Sequence, residues 1–166
     1  MQVTAELDIT AKLGRLIDEA VPGRRGLEAW RALLEAHATL MRQLQTDLVS
    51  KTGLDLNDFD VISQLAQAGG ALRMTELASR AFSSRSGLTR RIDRLVEAGL
   101  VRRTTADGDA RGVVVTLTDA GAARVSETLP VHLRTVADLF MSKLDDQELA
   151  VLESALKKVI LDCAFG

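Results

Sequence analysis

The periodicity of this sequence changes after Gly99, and that change does most to limit the fold. Before it, apolar residues recur at spacings of three and four; after it, LVRRTT (100–105) and VVVTLT (113–118) are β-rich runs joined by the Gly/Asp-rich stretch ADGDARG (106–112). Such a pair reads as a hairpin. Helical spacing resumes beyond Thr118, which is placed to cap the next helix. With 3% aromatic residues, no Tyr and abundant Leu and Ala, the remainder favours packed helices. The expected class is mainly α with a small β-hairpin.

Residues 27–48 carry Leu27, Trp30, Leu34, His37, Met41, Leu44 and Leu48 on one stripe, widened by Leu33 and Leu40. That is a helix of about six turns, roughly 35 Å long. Its apolar face exceeds what a small domain covers, which implies a partner helix. Asp55 and Asp58 mark the start of a second helix, as an N-cap with an acid three residues on. This helix carries Phe59, Val61, Ile62 and Leu65 and stops at Gly69-Gly70. Asp58 and Asp60 read first as cap and solvent residues.

Residues 71–73 are long enough only for a short strand. Thr75 is placed to cap a third helix, TELASRA, with Leu77 and Ala78 inward. Ser83 and Ser84 are placed to cap a fourth, from about Arg85 to Ala98, closed by Gly99. On it Leu88, Ile92, Leu95 and Val96 form one narrow face, and Ser86, Gly87, Arg90, Asp93, Arg94 and Glu97 the opposite one. The helix after the hairpin carries Leu129, Leu133, Val136, Leu139 and Phe140, and Pro130 is expected to kink or divide it. The last helix opens on a capping box of Asp145 and Glu148, with Leu144 and Leu149 as a hydrophobic staple. Leu149, Leu152, Leu156, Val159 and Cys163 repeat the three-four spacing there.

The formal net charge is −2, yet residues 73–112 hold nine Arg against five acids, so this block is +4 and the remainder −6. Arginine without lysine inside an acidic chain is an electrostatic footprint for a phosphate backbone. A solvated face with ordinary ion pairs is the alternative. One cysteine leaves no internal disulfide, and two histidines with one thiol are too few for a dedicated zinc site, so no metal or cofactor is expected. The absence of a Cys/His or Ser/His constellation and of a phosphate-cradling Gly loop argues against an enzyme. No run approaches the roughly 18 apolar residues of a membrane span, and the start MQVTAELDITAKL lacks the basic and apolar regions of a signal peptide. A cytoplasmic protein without membrane contact is expected.

The order helix, short strand, helix, helix, hairpin is that of a winged helix-turn-helix, in which the second helix of the central pair enters the major groove and the hairpin is the wing. ELASRAFSSRSGLTRRIDRLVEAGLVRR followed by DGDARGVVVTLTDAG resembles the multiple antibiotic resistance regulator (MarR) family of bacterial transcription factors. The resemblance covers about residues 27–163. Its most specific pieces are SGLTRRIDRL, the GLVRR after it, Asp109-Ala110-Arg111, and LTDAG. It implies a homodimer with intertwined N- and C-terminal helices and two winged domains on a palindromic operator in double-stranded DNA. Many members release DNA when a small, often aromatic, acid binds, so the expectation is a ligand-responsive repressor. Residues 51–118 would then be the DNA-binding domain, 25–50 and 119–163 the dimerisation helices, and 1–24 an extension, either a short helix around Leu13, Leu16 and Ile17 or a tail.

Carried over residue by residue, the resemblance puts Ser84 and Ser86 at the start of the recognition helix, where they can hold a phosphate. Arg85, Thr89 and Arg90 approach bases or the adjacent backbone, with Arg90 the first candidate for a guanine. Gly87 lets the helix sit closer to the groove, and Arg94, one turn on, falls on phosphate. Arg91 lies toward the flank and serves the fold. Arg111 corresponds to the wing's minor-groove arginine, with Asp109 orienting it or bracing the wing; alternatively the pair only stabilises the hairpin turn. Phe82 and Ser83 depart from the family's Gly-then-apolar pattern before the helix. Trp30 and His37, one heptad apart, either line a pocket for an aromatic or acidic effector or are a core Trp and a hydrogen-bonded interface His. Two other readings stay open: a winged-helix module for protein interaction without DNA, and a redox-responsive regulator using Cys163.

Overall fold

The computed structural model describes residues 2–20, 24–80, 85–106 and 109–165. The chain divides into two units, 1–42 and 43–166. The first contains α1 (Gln2–Ala20) and the N-terminal part of α2 (Arg24–Thr52). At 19 residues α1 is longer than the short helix expected around Leu13, and Ile9, Leu13 and Leu16 are exposed along it. No helix among the described residues is long and apolar enough to cross a membrane.

The second unit is built on α3 (Leu56–Gln67), β1 (Ala71–Arg73), α4 (Met74–Arg80), α5 (Arg85–Glu97), β2 (Val101–Ala106) and β3 (Asp109–Leu117). The three strands form one antiparallel sheet in the order β1-β3-β2. Around it lies a single core: Phe59, Val61, Ile62 and Leu65 from α3, Leu72 from β1, Leu77 from α4, Leu88, Ile92 and Leu95 from α5, Val101 and Val115 from the hairpin, with Leu48 of α2 and Val125 closing it. The helical residues recur at three- and four-residue spacing because each helix gives the sheet one stripe. This is the mainly helical winged architecture read from the sequence.

Turn chemistry fixes how these elements join. Asp55 caps α3, its carboxylate accepting from the amides of Asn57 and Asp58. The α3 and α5 ends close the same way: the Gly70 amide donates back to Leu65 O and the Leu100 amide to Leu95 O, both at 2.9 Å or less. Gly99 sits at φ 70, where a Cβ would be strained, which is why the helix stops there.

Three local expectations are corrected. Thr75 lies inside α4, which starts at Met74 straight from β1; the Arg73 amide is satisfied by the Glu76 carboxylate at 3.0 Å, so no threonine cap is needed. Val96 is 39% exposed, leaving Leu88, Ile92 and Leu95 as the buried face of α5. The hairpin strands also run into the stretch expected as a turn. Ala106 pairs with Asp109 after an irregularity at Thr105/Ala106, so strand pairing outlasts the Gly/Asp-rich composition.

Beyond the hairpin come α6 (Asp119–Leu139), a single turn of 3-10 helix at 141–143 and α7 (Asp146–Phe165). Thr118 caps α6 as expected, accepting from the Gly121 amide at 3.0 Å, and Asp145 and Glu148 make the reciprocal capping box of α7. Pro130 does not divide α6; it sits on an exposed flank, where water can satisfy the carbonyl left without a donor. The buried face of α6 is Gly121, Val125, Thr128 and Thr135, whereas Leu129 and Leu133 point outward. The Thr135 hydroxyl donates to the Asp47 carboxylate and the Arg124 guanidinium to Thr52 O, joining α6 to the C-terminal end of α2.

His132 of α6 packs on Phe59 of α3, ring centroids 5.1 Å apart, and its Nδ1 has no partner among the described residues. Burial holds the imidazole below the ordinary histidine range, and the Asp60 carboxylate offsets only part of this. The folded state thus favours the neutral ring, so the unfolded chain binds the proton more readily. Stability from this site is complete above about pH 6.5, the unfolded value, and is lost as pH falls toward the depressed folded one. Thermal melts of wild type and His132→Phe at pH 7.5 and 5.5 test this. The variant should gain on wild type at the lower pH, and parallel losses would rule the effect out.

Candidate nucleic-acid interface

Helix α5, RSGLTRRIDRLVE, carries four arginines, and its two sides have different work. Leu88, Ile92 and Leu95 anchor one side in the core, while Thr89, Arg90, Asp93, Arg94 and Glu97 are exposed on the other. Gly87 is half-buried near its start. Arg85 and Ser86 lie in the first turn of α5, and Asp109 and Arg111 in β3, but their side chains, like all of Ser84 and the expected Ser83 cap, fall outside the described residues. So do Phe82 and the side chain of Cys163.

The arginines separate by partner. Arg91, one turn from both Leu88 and Leu95, lies at the edge of the apolar stripe and is 16% exposed. Its Nη1 donates to Asp55 Oδ1 at 3.0 Å and Asp58 Oδ1 at 2.9 Å. Arg94 Nη2 donates to the same Asp58 oxygen at 3.0 Å. Asp55 is also held by Gln45 Nε2 of α2 at 3.0 Å, and Gln45 Oε1 accepts from the Leu56 amide. Burial by itself would raise the Asp55 carboxyl; the Asn57 and Asp58 amides and Gln45 together bring it below the ordinary carboxylate range.

From the hairpin, Arg103 of β2 reaches across to α5. Its Nη1 donates to Asp93 Oδ1 at 2.5 Å and its Nη2 to Thr89 O at 3.2 Å. Arg90 is exposed and makes no ion pair with the described residues.

Asp58 is thus neither a second cap nor a solvent residue; it is buried and paired with two guanidinium groups. The sequence held a signal for this that periodicity does not register: two acids three apart where α3 begins, and two arginines three apart on α5. Helical side chains three apart share a face, so the two pairs can meet. Trp30 and His37 are both exposed on α2, Trp30 at 54%.

A helix anchored in the core by one apolar side, carrying arginines on its exposed side and sharing its core with a hairpin, has the arrangement of a winged helix-turn-helix. The family model "MarR family" matches residues 52–112. The HTH-type transcriptional regulator PecS of Dickeya dadantii (strain 3937) is 31% identical over 112 residues, 66% of this chain and 67% of that protein. The chain belongs to the MarR family. Among solved MarR-family structures, AbsC from Streptomyces coelicolor has a TM-score of 0.76 at 32% identity, covering 83% of this chain and 93% of that one. Sco3205 from the same organism, solved in complex with DNA, has a TM-score of 0.77 at 29% identity, covering 83% and 87%. As a MarR-family chain, this protein is a winged-helix, DNA-binding transcription regulator.

Proposed function

We propose that the protein is a homodimeric cytoplasmic repressor that binds a palindromic operator and is released by a small aromatic or acidic effector. The observation that carries the DNA-reading part is the isolation of Arg90. Of the described arginines on α5 it alone is exposed without an ion pair, on the face opposite the core. A guanidinium so placed is free to take the O6/N7 edge of guanine in bidentate fashion. Ser84, Arg85, Ser86, Gly87 and Thr89 are the further DNA contacts proposed for the helix and its approach, and Asp109 and Arg111 those proposed for the wing. Residues 51–118 form the DNA-binding part.

Dimerisation through 25–50 and 119–163 is supported by the apolar side chains those helices leave exposed in the single chain. Trp30, Leu34 and Met41 on α2 and Val151, Val159 and Ile160 on α7 are among them. The proposed partner is a second copy, since two such copies would bury both seams at once. Trp30 and His37 are the effector-facing candidates on α2.

The test is Arg90→Ala against the duplex that wild type selects from a randomised pool and its single-base variants. Discrimination at one position in each half-site should fall by about 1–3 kcal/mol, with other positions unaffected. Equal weakening on every sequence would make Arg90 a phosphate contact and overturn the base-reading role.

A further inference from the structure

The Asp55, Asp58, Arg91 and Arg94 cluster ties α5 to the start of α3. We propose that Arg94 and Arg91 are positioning residues of DNA recognition, clamped by Asp58 so that α5 is held at one rotation about its own axis. The proposal rests on the DNA-binding reading above and assigns Arg94 a role other than phosphate contact.

Leu88, Ile92 and Leu95 attach α5 to the core through aliphatic surface alone. Such contacts are non-directional and leave small rotations cheap. Ion pairs with hydrogen-bond geometry are directional. Asp58 Oδ1 takes Arg91 Nη1 at 2.9 Å and Arg94 Nη2 at 3.0 Å, so one carboxylate oxygen fixes two successive turns of the helix. Arg91 Nη1 also reaches Asp55 Oδ1 at 3.0 Å, and Asp55 is the α3 cap that Gln45 ties to α2. The clamp is therefore grounded in two other helices.

Side chains reach about 5–6 Å from a helix axis, so a rotation of about 20° would move them by roughly 2 Å. That breaks the clamp, and it moves Arg90 out of hydrogen-bond register with a base edge. Asp58 and Arg91 keep side-chain exposures of 13% and 16%, so water competes weakly for these bonds. Arg94, at 55%, is the member whose removal costs the fold least.

The two roles for Arg94 predict opposite signs when Asp58 is neutralised. If Asp58 clamps the helix, Asp58→Asn should weaken the selected duplex about tenfold, leave random-sequence duplex binding unchanged, and leave the salt slope unchanged. If Arg94 is instead a phosphate contact that Asp58 competes for, Asp58→Asn should tighten both duplexes. Arg94→Ala gives the second reading. A positioning role predicts reduced preference for the selected duplex over single-base variants with an unchanged salt slope. A phosphate contact predicts uniform weakening and a slope smaller by about 0.9 per protomer. Melting curves show whether Asp58→Asn folds; if it does not, Arg94→Ala decides. Variants that match or exceed wild type on the selected duplex overturn this role alone. A wild-type protein that binds no duplex overturns the DNA reading, and the role with it.

Discussion

Raising the salt concentration from 50 to 200 mM should weaken binding to the selected duplex by about a thousandfold. Neutralising each phosphate releases condensed counterions, and log K falls with log salt at about −0.9 per phosphate contacted. Arg91, Arg94 and Arg103 are engaged by carboxylates of the protein itself, which lowers the number of cations available to DNA. Arg80, Arg90 and Arg102 are exposed, and Arg85 and Arg111 lie on α5 and the wing. Roughly three contacts per protomer, or six for a dimer, give a slope near −5, and hence the thousandfold change. Titrations at four or more salt concentrations measure it. A flat dependence would remove DNA as the partner and leave the protein-interaction reading of the winged helix.

Gly121→Ala should lower the melting temperature by roughly 4–12 °C. A Cβ at this position would lie 2.1 Å from Leu100 O and 2.7 Å from Leu117 Cδ1. The first obstacle is backbone, held in place because Leu100 O accepts from the Thr118 amide at 3.1 Å and its own amide closes α5. A side chain could turn aside; this carbonyl cannot without loosening the α5 end or the α6 cap. Overpacking of this kind costs about 1–3 kcal/mol, and the backbone obstacle puts the expected cost at about 2–3. At about 2–4 °C per kcal/mol for a chain of this size, the melting shift follows. Gly26→Ala is the control, since nothing lies within 4 Å of its Cβ and alanine favours the helix it occupies. Its effect should be neutral or stabilising. A Gly121→Ala protein that melts like wild type would mean the α6 start has room to retreat.

What the sequence made legible was what local chemistry decides. The cap at Thr118, the reciprocal pair Asp145 and Glu148 and the stop at Gly99 each act within a few residues, and each is where residue type placed it. The failures involve competition or distance. Thr75 had the chemistry of a cap, but β1 delivers the chain into α4 one residue earlier. The Gly/Asp composition of 106–112 signals a turn, yet pairing with β2 draws 109–112 into the strand. On α6 the apolar residues are spread widely enough that packing, not periodicity, chooses Val125, Thr128 and Thr135 for burial over Leu129 and Leu133. The candidate site was legible in its outward residues and not in its support. Asp58 meets Arg91 and Arg94 across 33 and 36 positions, and the matching three-residue spacings of acids and arginines fit that contact without saying which two elements meet.

At Leu100 the end of α5, the entry to β2 and the start of α6 come together. The Leu100 amide caps α5, its carbonyl receives the Thr118 amide, and the Thr118 hydroxyl is shared between the carbonyls of Gly99 and Leu100 at 2.7 and 3.0 Å. Gly121 packs so close to the same carbonyl that there is no room for a Cβ between them. Helix α6, 21 residues long, extends about 31 Å from this joint. It is held along its length as well: Thr135, in its last turns, is tied to Asp47 of α2, and His132 packs on Phe59 of α3. A rotation of α6 at this joint would therefore have to break its attachments to α2 and α3 as well as the Thr118 cap.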